Sequence, residues 1–96
     1  MYFCIILNIK YSEVERKYKA LANRRRLEII HYLTKESKAN VGQIAEQIKL
    51  SFNATSKHLS VLKSNEFVEN EQVGLEQYYF IINKNDIFIK HILSIL

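Results

Sequence analysis

The stretch from Asn40 to Lys63 restricts the fold more than any other part of the chain. Val41, Ile44, Ala45 and Ile48 recur at the spacing of one helical face, and Thr55, Leu59 and Leu62 do so a few residues later. Asn40 and Gln43 stand at capping-box spacing for a short helix over about 41–48. Ser51, or Asn53 two residues on, can cap a second helix that runs to about Ser64. Lys49 and Leu50 form a tight connection between them. So short a link makes the two helices cross and pack, which is helix-turn-helix geometry over about residues 40–64.

The flanking segments build around this unit. Ser12-Glu13-Val14-Glu15 has the form of a capping box, and Val14, Tyr18 and Leu21 follow at helical spacing, predicting a first helix at about 12–22. Residues 1–10 are apolar and fit either a short strand or an extension of that helix. Asn23 can cap a second helix with an inner stripe of Leu27, Ile30 and Leu33 and with Ile29 beside it. Ser37-Lys38-Ala39-Asn40 reads as a loop. Beyond Glu66 the period changes. Phe67–Glu71 and Gln77–Asn83 are rich in strand-favouring residues and flank Gln72–Glu76, predicting a β-hairpin with a longer loop at Gly74. Asp86–Leu96 closes the chain as a helix whose apolar residues cover most of its circumference. Such a helix needs burial on more than one side, and a second copy of the chain is the natural cover. The expected fold class is mostly α with a β-hairpin (α+β), in the order α-α-α-α-β-β-α, as one domain over 1–96.

Composition narrows the class. A chain of 96 residues that is 48% hydrophobic can form one modest core, and dimerisation commonly adds to the stability of a chain this small. Pro is absent and Gly occurs twice, which excludes collagen-like and low-complexity architectures. Cys4 is the only cysteine, so neither an intramolecular disulfide nor a cysteine-based zinc ribbon can form, and a reducing, cytoplasmic setting is expected. In its apolar run Cys4 is expected to be inert. The run Tyr2–Leu7 is far short of the about 20 residues a membrane span needs, and it lacks the flanks of a signal peptide. Charge is segregated: residues 1–63 carry +7 and residues 64–96 carry −3. An anionic partner for the first part alone is the simplest reading. Catalysis has no footing, because the chain has no phosphate-binding glycine loop, recognisable carboxylate pair or activated nucleophile motif.

Several segments together resemble the ArsR family of transcriptional repressors. Lys19-Ala20-Leu21-Ala22-Asn23 with Arg26-Leu27-Glu28-Ile29-Ile30 resembles the family's opening helix pair, and Val41-Gly42-Gln43-Ile44-Ala45-Glu46 the first helix of its DNA-binding motif. Ser51-Phe52-Asn53-Ala54-Thr55-Ser56-Lys57-His58-Leu59-Ser60-Val61-Leu62-Lys63 resembles its recognition helix, and Gly74 followed by Tyr78-Tyr79 its wing. The likeness covers about residues 18–82. It implies a winged helix-turn-helix with a wing at about 67–83, acting as a homodimeric repressor on double-stranded DNA with a roughly palindromic operator. Dimerisation would fall to about 1–22 and 84–96, through Val14, Tyr18, Ile87, Ile89, Ile92, Leu93 and Leu96.

The residues fit that implication in detail. If Thr55, Leu59 and Leu62 face inward, Asn53, Ser56, Lys57 and Ser60 face outward. Asn suits adenine, Lys suits guanine and Ser suits several bases in the major groove, while Phe52 can meet a thymine methyl or pack under the wing. Arg24, Arg25, Arg26, Lys38 and Lys63 are candidates for backbone phosphates. Three arginines at a helix N-terminus oppose its dipole, so something must offset them, an external phosphate being one candidate. His58 is expected to be a packed, hydrogen-bonded histidine.

Two departures from the family pattern stand out. The family's wing is usually basic, whereas residues 66–77 here carry Glu66, Glu69, Glu71 and Glu76 with no Lys or Arg. The cysteine pair and the Asp-x-His pattern of its metal sensors are missing, Asp86 being followed by Ile87 and Phe88. His31 and His91 are isolated, so neither metal nor cofactor is expected. The acidic wing leaves open a rival reading, a winged-helix module that holds another protein.

Overall fold

The computed structural model describes residues 2–96, with side chains from Lys10 onward. Five helices and a three-stranded antiparallel sheet follow in the order α1 (Tyr2–Leu21), α2 (Arg24–Lys35), β1 (Ala39–Asn40), α3 (Val41–Ile48), α4 (Phe52–Ser64), β2 (Val68–Val73), β3 (Glu76–Ile81) and α5 (Ile87–Ile95). This is the expected helical order with one strand added. The core lies where α2, α3 and α4 meet the inner face of the sheet. Ile29, Ile30, Leu33, Ile44, Leu59, Leu62 and Val68 are all 0% exposed there, under Phe67 and Ile89.

The caps set the element boundaries. The Asn23 side chain accepts from the Arg25 and Arg26 amides, Ser51 from Ala54, and Asp86 from Phe88 and Ile89. At α3 the box closes both ways: Asn40 accepts from the Gln43 amide at 2.8 Å, and the Gln43 side chain accepts from the Asn40 amide at 2.9 Å. The turn between α3 and α4 is made by Lys49 in the left-handed region, φ 56 and ψ 53. That conformation aims the Lys49 and Leu50 amides at the carbonyls of Glu46 and Ala45, which the end of α3 leaves open.

Three expectations are corrected. Ser12 does not cap α1, which already begins at Tyr2. No Pro or Gly interrupts the stretch, and a serine inside a helix costs only a few tenths of a kcal/mol, roughly. The helical alternative for the first residues is thus the observed one, while the Cys4 side chain lies outside the described residues. Ala39 and Asn40 are not loop but strand β1, pairing with Tyr79 and Tyr78 to give the sheet order β1-β3-β2. The hairpin loop is shorter than expected: pairing runs on to Val73 opposite Glu76, leaving a two-residue turn of Gly74 and Leu75. Gly74 takes φ +65 there, which a tight turn needs and which glycine adopts without strain.

Candidate nucleic-acid interface

Helix α4 presents two faces of opposite character. Thr55, Leu59 and Leu62 are each 0% exposed, so the helix is pinned to the core along one side. Asn53, Lys57 and Ser60 point to solvent on the other, and Ser56 is half-buried at the edge. The Ser60 hydroxyl donates to the Ser56 carbonyl at 3.1 Å, one turn back, so it is locally satisfied but still exposed. Phe52, in the first turn, is 59% exposed. It borders a groove of about 360 Å3 between α4, the start of α3 and the wing tip, shared with Ser56, Gly42 and Leu75. Phe52 therefore stands exposed beside the wing.

The arginines of α2 have internal work. Arg25 donates to the Ile48 carbonyl at the end of α3, and to Glu28 at 3.2 Å. Arg26 donates to the Ala20 and Lys19 carbonyls at the end of α1. Both guanidiniums thus meet the negative ends of neighbouring helices, and this supplies the offset their own helix dipole requires. Arg24 projects into solvent, 3.6 Å from Glu28.

Arg26 also faces His58 of α4, with Nη1 3.3 Å from Nδ1. A guanidinium only donates, so Nδ1 accepts and the neutral ring carries its proton on Nε2. Desolvation, and then the charges of Arg26 and Arg25, hold the His58 pKa below the ordinary 6.5. The half-buried, hydrogen-bonded histidine matches the expectation. Because the unfolded chain protonates more readily than the fold, stability is full above pH 6.5 and declines as pH falls below it. We expect urea midpoints to drop between about pH 7.5 and pH 5.5, and to drop less in His58→Gln. Equal drops in the two proteins would assign the pH dependence elsewhere.

Sequence reasoning missed a clamp between α1 and the end of α4. Lys17 is 7% exposed and lies 4.8 Å over the Phe67 ring. Its ammonium donates to the Asn65 carbonyl and lies 3.3 Å from Glu66, while Arg16 reaches Asn65 and Glu66 at 2.9 and 3.1 Å. Hydrogen bonds from Arg16 and then Lys17 hold the Glu66 carboxyl below the usual carboxylate range. Glu66 itself takes the left-handed region at φ 65, where the Glu66 and Phe67 amides donate to the Lys63 and Leu62 carbonyls left open at the end of α4. The available signal was a lysine within the apolar spacing of Val14, Tyr18 and Leu21, where a charge must find a partner.

Lys38 and Lys63 are both half-exposed and paired, with Glu71 at 2.7 Å and Glu69 at 3.3 Å respectively. Of the residues expected at a dimer contact, Ile89 is corrected: at 1% exposure it belongs to the protomer's own core. Ile92 and Leu93 also pack partly against that core, and Val14 is half-buried. Tyr18, Ile87 and Leu96 stay exposed at 44%, 74% and 59%, and Ile95, not singled out before, at 69%. An edge-on Tyr18–Phe88 contact at 5.2 Å joins α1 and α5 into one surface. Among the described residues no three His, Cys, Asp or Glu side chains gather as a metal site, and no helix is long and apolar enough to cross a membrane.

Residues 23–70 match the family described as bacterial regulatory protein, arsR family. The chain is 36% identical over 78 residues to the cadmium resistance transcriptional regulatory protein CadC of Listeria innocua, a match covering 81% of this chain and 66% of that protein. It is 38% identical to the transcriptional repressor PagR of Bacillus anthracis, over 78% of each chain. Among solved structures, a homodimeric winged helix-turn-helix DNA-binding domain from Mycobacterium bovis superposes with a TM-score of 0.81 at 31% identity, covering 92% of this chain and 79% of that one. The PagR crystal structure gives 0.74 at 27% identity, covering 92% and 97%.

Proposed function

The chain belongs to the ArsR family of bacterial regulatory proteins, and from that premise we propose that it binds double-stranded DNA as a homodimer and represses transcription. One observation carries the reading: α4 is fixed by a buried apolar stripe and turns Asn53, Lys57 and Ser60 outward near an exposed Phe52. In a helix-turn-helix this second helix enters the major groove with its N-terminal residues at the base edges. Asn53, Ser56, Lys57 and Ser60 would read bases, with Phe52 against a thymine methyl. Arg24, Lys38 and Lys63 would meet phosphates. Arg25 and Arg26 would instead serve mainly by holding α2 against α1, α3 and α4. No metal or cofactor enters this reading.

The dimer would form through the joint α1–α5 surface, where Tyr18, Ile87, Ile95 and Leu96 offer apolar area that the protomer does not cover. Twofold symmetry would set two α4 helices about 34–36 Å apart, one turn of DNA, and favour a roughly palindromic operator. Repression would follow from occupying a promoter.

Selection of bound sequences from a random duplex pool tests this directly. We expect a palindrome with half-sites about 10 base pairs apart, centre to centre. Recovery of no enriched sequence, together with no salt-sensitive binding to random duplex, would favour the protein-interaction module instead.

A further inference from the structure

The acidic wing is engaged within the protomer, and two of its partners are the lysines offered for DNA phosphates. Glu69 and Glu71 stand two apart on β2, so both leave the sheet on the same face, opposite buried Val68. Lys38 approaches from the β1 side, passing 5.8 Å from the Tyr78 ring to reach Glu71 at 2.7 Å. Lys63 reaches Glu69 at 3.3 Å from the last turn of α4. Cations from two separate elements therefore converge on one face of one strand.

A carboxylate and a phosphate compete for the same ammonium donor. We propose that Glu69 and Glu71 are internal competitors for DNA phosphate, holding Lys63 and Lys38 in the free protein and giving them up only when the duplex is seated. The inference rests on the DNA-binding reading and adds a specificity device to it. Affinity for any duplex grows with the counterions released per phosphate neutralised. When a lysine moves from glutamate to phosphate, the vacated carboxylate takes up a cation, which cancels part of that release. Binding driven by phosphates alone is weakened, while base contacts from α4 are untouched. Exposed ion pairs are weak, so the exchange remains reversible.

A four-protein cycle tests it: the unmodified chain, Lys38→Ala, Glu71→Gln and the two together, titrated with a random-sequence duplex over a range of salt. Glu71→Gln is expected to raise affinity about threefold to tenfold and to steepen the salt slope by up to about 0.9, the full worth of one phosphate neutralised. Lys38→Ala is expected to change affinity less than about twofold alone, yet to abolish the gain in the Glu71→Gln background. Lys63 with Glu69 forms an independent second cycle. Circular dichroism checks that each variant is folded. If Lys38→Ala and Lys63→Ala cost the same with and without their glutamates, DNA binding stands and the competitor proposal is overturned. If none of the proteins binds duplex at low salt, the DNA reading itself fails, and this inference with it.

Discussion

Replacing Ser56 and Lys57 together by alanine is expected to abolish operator binding while leaving fold and oligomeric state intact. Lys57 lies on the solvent face of α4, and among the described residues neither side chain makes an ion pair or side-chain hydrogen bond within the protomer. The one bond that involves Ser56 uses its backbone carbonyl, which alanine keeps. Alanine also raises helix propensity at both positions. The core stripe Thr55, Leu59 and Leu62 is untouched, so thermal midpoint and sedimentation should match the unmodified protein. A good base contact discriminates by about 1–3 kcal/mol, so losing two should cost about 2–6 kcal/mol, or roughly 30-fold to about 20,000-fold in affinity. Competition between operator and random duplex is the measurement. An unchanged ratio of the two affinities would show that α4 is not the reading helix.

The helix-turn-helix was legible because each of its determinants is local. Asn40 and Gln43 stand at the one spacing that closes a capping box, and Thr55, Leu59 and Leu62 recur on one face. The elements misjudged were those decided at long range. Strand β1 is two residues long and exists only because Tyr78 and Tyr79 pair with it from across the chain. No local pattern announces that. Arg25 and Arg26 look like free cations in sequence, yet their acceptors are the carbonyls of Ile48 and Ala20, which only folding brings near. The wing glutamates show the same effect. In sequence they left open a wing that holds another protein, but the folded chain sets Lys38 against Glu71 and Lys63 against Glu69, and so changes what their charge can do. Of the dimer candidates, the helical period predicted an apolar circumference but not which side the protomer itself would cover. Ile89 lies on the covered side.

That last point decides how dimerisation is best broken. Ile92→Glu would put a charge where the side chain already packs on the protomer core, so it would lower stability along with any association. Ile87 and Ile95 carry no such ambiguity, since at 74% and 69% exposure the protomer asks little of either. We expect the Ile87→Glu/Ile95→Glu variant to sediment as a folded monomer at concentrations where the unmodified chain is dimeric. Burying an isoleucine contributes about 1.5–3 kcal/mol, and twofold symmetry makes each substitution count twice. The loss is therefore about 6 kcal/mol or more, on the order of 10,000-fold in the dimer dissociation constant, before the desolvation of carboxylates is added. Sedimentation indistinguishable from the unmodified dimer would exclude the solvent side of α5 as the interface. The DNA consequence separates this variant from the first. With α4 intact, the monomer should bind a single half-site as each protomer of the unmodified dimer does, and should gain little from a second half-site placed one turn away. The Ser56→Ala/Lys57→Ala protein should do the reverse, staying dimeric and reading neither.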